Sequence, residues 1–133
     1  MAVAQTQAAR IMAARSSELT SHQVISLLMG GALERILQAK QAVAEENAED
    51  KQVLISKVIA IVNGLRASLD MSKGGDIAEN LNMLYNYISE RLVNVNPDEE
   101  IVVLEEARRL IVKVKCGWDA MDLSDVEALR AAS

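Results

Sequence analysis

The chain carries few residues that could do chemistry, and their spacing argues against most of it. His22 is its single histidine and Cys116 its single cysteine. Zinc sites draw on several Cys, His or carboxylate ligands at set spacing. Di-iron bundles use Glu-x-x-His pairs on facing helices, and no glutamate stands three residues before His22. A Cys–His nucleophile would require Cys116 and His22 to meet, yet Cys116 lies in an apolar-rich late helix turn with no sign of activation. Lys73-Gly74-Gly75-Asp76 fails as a phosphate loop, because a Walker loop follows a strand and places its lysine after the glycines. The acidic clusters Glu45-Glu46 and Asp98-Glu99-Glu100 fall at helix boundaries, where solvation and the helix dipole account for them. These residues predict no catalytic group, no metal and no cofactor, and His22 reads as a surface residue at a helix end.

The elements that hold these residues are helical. Thr20-Ser21-His22-Gln23 has the form of a capping box, with Leu19 and Val24 placed for a hydrophobic staple. Ile25, Leu28, Ala32, Ile36, Ala39 and Val43 follow at steps of three and four, one face of a first helix. A second carries Leu54, Val58, Ile61, Val62, Leu65 and Leu69. The pattern breaks at Gly74-Gly75 and restarts with Ile77, Leu81, Leu84, Ile88, Leu92 and Val95. Here one glycine provides for positive φ at the end of the second helix, and the other lets the third start close by. Asn96, Pro97 and Glu99 predict the N-cap, first position and box of a fourth helix, with Val103, Ala107, Leu110, Ile111, Val114 and Trp118 as its core stripe.

Connections this short make successive helices antiparallel. The expectation is an all-α, single-domain, up-and-down four-helix bundle over residues 19–119, with a mobile N-terminal segment at 1–18 and a short tail at 120–133, where Ser124-Asp125-Val126-Glu127 could cap a last turn.

Composition narrows the function. The chain has 133 residues, half of them hydrophobic, with no Phe, one Trp and two Tyr, so its core is built from Leu, Ile, Val, Ala and Met. A net charge of −5 without a Lys/Arg block argues against nucleic-acid binding. No apolar run reaches the ~18–20 residues of a membrane span, and the first residues lack a signal-peptide pattern. A lone cysteine excludes an internal disulfide and fits a reducing cytosol.

The helices carry more apolar residues than one stripe each. At ~100° per residue, Ile55 and Ile59 fall at or beyond the edge of the second helix's stripe. Met83 and Tyr87 share an outer face of the third, while Tyr85 turns toward the bundle edge. Ile101, Val112 and Cys116 lie off the core side of the fourth. Such a set predicts a groove for another helix. Self-association as a homodimer would use the same surface.

Ser21-His22-Gln23-Val24-Ile25 and Gly31-Ala32-Leu33-Glu34-Arg35-Ile36 with Gln38-Ala39-Lys40 resemble the first helix of the flagellin export chaperones, the FliS family. Ser68-Leu69-Asp70-Met71-Ser72-Lys73-Gly74-Gly75-Asp76-Ile77-Ala78, followed by Asn80-Leu81 and Leu84-Tyr85-Asn86-Tyr87, resembles that family's central signature, and Arg91-Leu92 and Trp118-Asp119 fit as well. The resemblance implies a cytosolic, non-enzymatic bundle that binds the C-terminal segment of flagellin, prevents premature polymerisation and aids delivery to the type III export apparatus. It also implies association with the cytoplasmic part of the membrane export gate and, in some bacteria, with flagellar regulators. The chain departs from the family pattern at Ser21 and Gly30, and no tyrosine precedes Tyr85. The family's N-terminal segment covers the binding surface and contributes to gate contact; Ile11 and Met12 are the residues here that could take its tyrosine's place.

Overall fold

The computed structural model describes residues 20–69 and 75–120, which form four α-helices and one 3-10 turn. α1 is Ser21–Ala44, α2 Ala48–Ala67, α3 Gly75–Val93 and α4 Glu100–Ala120, with Pro97–Glu99 as the 3-10 turn. The first 19 residues, with Leu19, Ile11 and Met12, lie outside the described part, as do Lys73-Gly74 and the tail from residue 121 with Ser124–Glu127.

Local sequence accounts for most of the helix ends. The Thr20 hydroxyl accepts from the Gln23 amide at 3.1 Å, and the Gln23 side chain accepts from the Thr20 amide at 3.0 Å, so the predicted capping box is formed. α1 ends in a Schellman turn: the Asn47 amide donates to the Ala42 carbonyl at 2.9 Å and the Glu46 amide to Val43 at 3.1 Å. Glu46 therefore takes φ +57°, a left-handed conformation that favours glycine. Gly75, with φ +56°, opens α3, so the left-handed glycine belongs to the entry of the third helix, while Ser68 closes the second in a right-handed conformation. The start of α4 differs from the expected box. Asn96 caps with extended backbone but no side-chain bond, and Pro97–Glu99 winds into a 3-10 turn closed by the Glu99 amide on the Asn96 carbonyl at 2.9 Å.

The helices pack as an antiparallel bundle in which α1 sits between α2 and α4, and α2 between α1 and α3; of the four neighbouring pairs, α3 and α4 approach each other least. Cross-links fix the order. Ser89 Oγ donates to Asn63 Oδ1 at 3.0 Å, and Arg66 reaches Asn82 and Asn86, tying α2 to α3. The buried Glu100 meets Lys51 at 2.7 Å, which satisfies its charge where it is taken out of water.

The core runs through all four helices: Met29, Ala32 and Ile36; Val58, Val62 and Leu65; Tyr85, Ile88 and Leu92; Val103, Leu104, Ala107 and Ile111. Two expectations change here. Ile55 is 8% exposed and belongs to this core, because α3 packs against the flank of α2 that a single-helix stripe leaves outside. Tyr85 is buried too, and burial pushes its phenol up to about 12.

α1 and α4 are closed by a clasp at one end of the bundle. Trp118 Nε1 donates to the His22 carbonyl at 2.9 Å, and His22 Nε2 lies 2.5 Å from the Trp118 carbonyl. A carbonyl can only accept, so Nε2 carries the proton. The rings stack at 5.2 Å between centroids and 20° between planes. Ser26 Oγ adds a bond to Asp119 at 2.6 Å. His22 is thus a half-buried structural residue.

Candidate functional site

The α3–α4 seam combines open packing with exposed apolar side chains. On α3, Met83 is 64% and Tyr87 43% exposed; on α4, Val102 is 63% exposed. Leu84 and Leu110 lie half-buried against the core between them. Helix period brings these side chains to the seam. Tyr87 follows Met83 by one turn, and Val102 precedes Glu106 by one turn. The Tyr87 hydroxyl donates to the Glu106 carboxylate at 3.0–3.1 Å, and Arg91 Nε donates to the same carboxylate at 3.0 Å. Both tie α3 to α4. The Arg91 bond, helped by Tyr87, holds the Glu106 carboxyl below its ordinary range, against desolvation that raises it. The seam can therefore offer a flat aromatic surface, an adaptable thioether and a held carboxylate to a partner helix.

The other expected groove residues do not converge on this seam. Ile55 is core, and Ile59 is half-buried on the side of α2 that bears Asn63, which faces α3 through Ser89. Ile101, Val112 and Cys116 share the side of α4 that bears Glu105, and Glu105 faces α1 through Lys40 at 2.7 Å. Ile101 and Cys116 are exposed there and Val112 is half-buried. Val102 is the residue that sequence reasoning missed. It lies next to Ile101, and the ~100° between neighbours carries it from the α1 edge to the α3 edge. The interhelical neighbours of α4 decide between them, and a periodic pattern does not contain those neighbours.

Elsewhere, a cleft of about 230 Å³ opens between the α1–α2 turn and Pro97, lined by the mutually satisfied pair Lys51 and Glu100. Among the described residues there is no group of His, Cys, Asp or Glu that could hold a metal ion, and no helix long and apolar enough to cross a membrane.

Known proteins place this bundle. The model of the flagellar protein FliS family matches residues 3–125. The chain belongs to the FliS family. It is 43% identical over 108 residues to the flagellar secretion chaperone FliSB of Pseudomonas aeruginosa, a match that covers 81% of this chain and 86% of that one. The flagellar secretion chaperones FliS of Vibrio cholerae and Salmonella typhimurium are 33% and 36% identical over 103 and 98 residues. Those matches cover 77% and 73% of this chain, and 76% and 73% of the relatives. FliS relatives are chaperones of flagellar secretion by name, a chaperone family and not an enzyme family.

Proposed function

We propose that this FliS-family chain is a cytosolic export chaperone that binds the C-terminal segment of flagellin, prevents its premature polymerisation and aids its delivery to the flagellar type III export apparatus. Family membership supports the role, and the observation that carries the contact surface is the open α3–α4 seam with Met83 and Tyr87 exposed on it. A disordered client that folds on binding loses ~1–2 kcal/mol of backbone entropy per ordered residue. Burial of apolar side chains along a helix-length seam offsets that loss, at ~25 cal/mol per Å² removed from water. Release before export favours many modest contacts over one rigid pocket, and the exposed Met83 and Tyr87 suit that demand. Contact with the cytoplasmic part of the export gate and with flagellar regulators extends this reading, with Ile11 and Met12 in the N-terminal segment as the gate or cover residues.

Calorimetry with the C-terminal segment of the cognate flagellin tests the proposal. A 1:1 complex is expected, weakened by Met83→Glu and by Tyr87→Ala at unchanged helical content. Absence of binding by a folded sample would refute the client. Equal binding by both variants would move the contact away from the seam. The same exposed side chains could pair two copies of the chain, so light scattering on the free protein decides the alternative of a self-associating structural or regulatory bundle. A tight dimer indifferent to flagellin favours that second reading.

A further inference from the structure

The seam has two lips of opposite charge. On α3, Asp76 and Glu79 precede Met83 and Glu90 follows it at steps of seven, four and seven residues, so all three carboxylates share the solvent-facing stripe that Met83 occupies. On α4, Arg109 and Lys113 follow Glu106 at steps of three and seven, which puts two cations along the far side of the seam. All five side chains are exposed. Among the described residues none of them enters an ion pair, although the other cations near α4 do: Arg91 with Glu106, Arg108 with Glu105, and Lys115 with Asp119. Glu90 takes only a long hydrogen bond from Asn86, 3.4 Å. Arg109, one turn along α4 from Glu106, is close enough to help lower its carboxyl.

We infer that the seam accepts an amphipathic client helix with basic residues on the flank that meets α3 and acidic residues on the flank that meets α4. This rests on the chaperone reading of the same seam. The floor of Met83, Tyr87 and Val102 is apolar and takes a helix in either direction. The lips remove that freedom. Turning a helix end for end exchanges its flanks, so a client with one basic and one acidic flank matches the lips in a single direction. Charges at the rim of an interface contribute register and exclude wrong arrangements more than they add affinity. The lips therefore set the direction in which the client lies, and the floor holds it.

Two helical peptides with an identical apolar stripe test this on the full chain. One carries lysines on its first flank and glutamates on its second; the other has the flanks exchanged and the sequence direction kept. At low salt the two peptides should bind with similar affinity but in opposite directions: a nitroxide on the first residue should broaden the amide signals around Asp76 and Lys113 with one peptide and those around Glu90 and Val102 with the other, the directional preference shrinking as salt rises. The variant Glu79→Lys, Glu90→Lys, Arg109→Glu, Lys113→Glu should exchange the two broadening patterns at unchanged helical content. The same pattern with both peptides, binding of neither peptide, or patterns that survive the charge reversal would each overturn the inference. The cognate flagellin segment separates the two claims. If it binds wild type and the reversed variant in the same direction, the lips fall and the chaperone reading stands. If it does not bind wild type while the two peptides lie in opposite directions, the chaperone reading falls and the lips stand.

Discussion

The two edges of α4 are built on different principles. Toward α1 the helix is sealed: Trp118 stacks on His22 and exchanges hydrogen bonds with it, Asp119 takes Ser26, and Glu105 takes Lys40. Toward α3 the same helix packs loosely, tied by Glu106 to Tyr87 and Arg91, with Val102 left in solvent. A bundle that sealed both edges would have no helix-length apolar surface to offer. One that sealed neither would lose the packing that makes marginal helices stable. On the proposed function, placing the closed edge and the open edge on one helix separates stability from recognition.

That separation breaks first, if it is wrong, at Trp118. Trp118→Ala removes the stacked indole and its bond to His22 and leaves a gap at the end of the α1–α4 edge. Truncations of well-packed aromatic residues cost about 3–5 kcal/mol, and a half-buried site falls toward the lower end or below. Urea unfolding should show a fall in midpoint worth about 2–3 kcal/mol with the slope unchanged. Met83→Ala, on the open edge, should stay within about 0.5 kcal/mol of wild type. Equal losses from the two variants would mean that both edges carry the fold.

Glu106→Ala tests the open edge at a smaller scale. It deletes the bonds from Tyr87 and Arg91, both part-exposed, and each such pair contributes between zero and about 1 kcal/mol. Global stability should fall by less than about 1 kcal/mol. Amide exchange should quicken in the second half of α3 while α1 remains protected. Uniform exchange across α1 and α3 would show that the seam is not a separately opening edge.

How much of this arrangement is legible in the sequence depends on the distance over which it is encoded. The α1 capping box, the four helices and most of the core stripe are local, set by residues three or four apart, and the structure agrees with them. The His22–Trp118 clasp joins residues 96 apart, and neither residue's surroundings point to the other. The burial of Ile55 and the exposure of Val102 depend on which neighbour lies across from a helix flank, so periodicity on one helix leaves them undecided. Backbone conformation shows the same limit. The double glycine marks one helix junction, and Gly75 is left-handed there, but the other left-handed residue among the described ones is Glu46, which no turn signal marks.

Acid separates the two edges by the least effect. Glu105 is held down to about 2 by hydrogen bonds from Arg108 and then Lys40, whereas Glu106 is lowered by Arg91 and then by the uncharged Tyr87 hydroxyl. Both carboxyls sit below their ordinary 4.5 in the folded chain. Each therefore contributes stability that is present above the unfolded value and lost as pH falls through the folded one. With two charged hydrogen-bond donors against one, Glu105 keeps its charge further into acid. The α3–α4 tie should be the first to loosen as pH drops below about 4.5, and the Lys40–Glu105 bridge should persist toward about 2. Both side chains are part-exposed, so salt screens both effects and the measurement belongs at low ionic strength. Carboxyl titration by NMR resolves the two residues directly: Glu106 should protonate at the higher pH, accompanied by faster exchange in α3 and none in α1. If Glu105 protonates first, the polar contacts of the two edges are ranked in the wrong order, and the contrast along α4 rests on the Trp118 clasp alone.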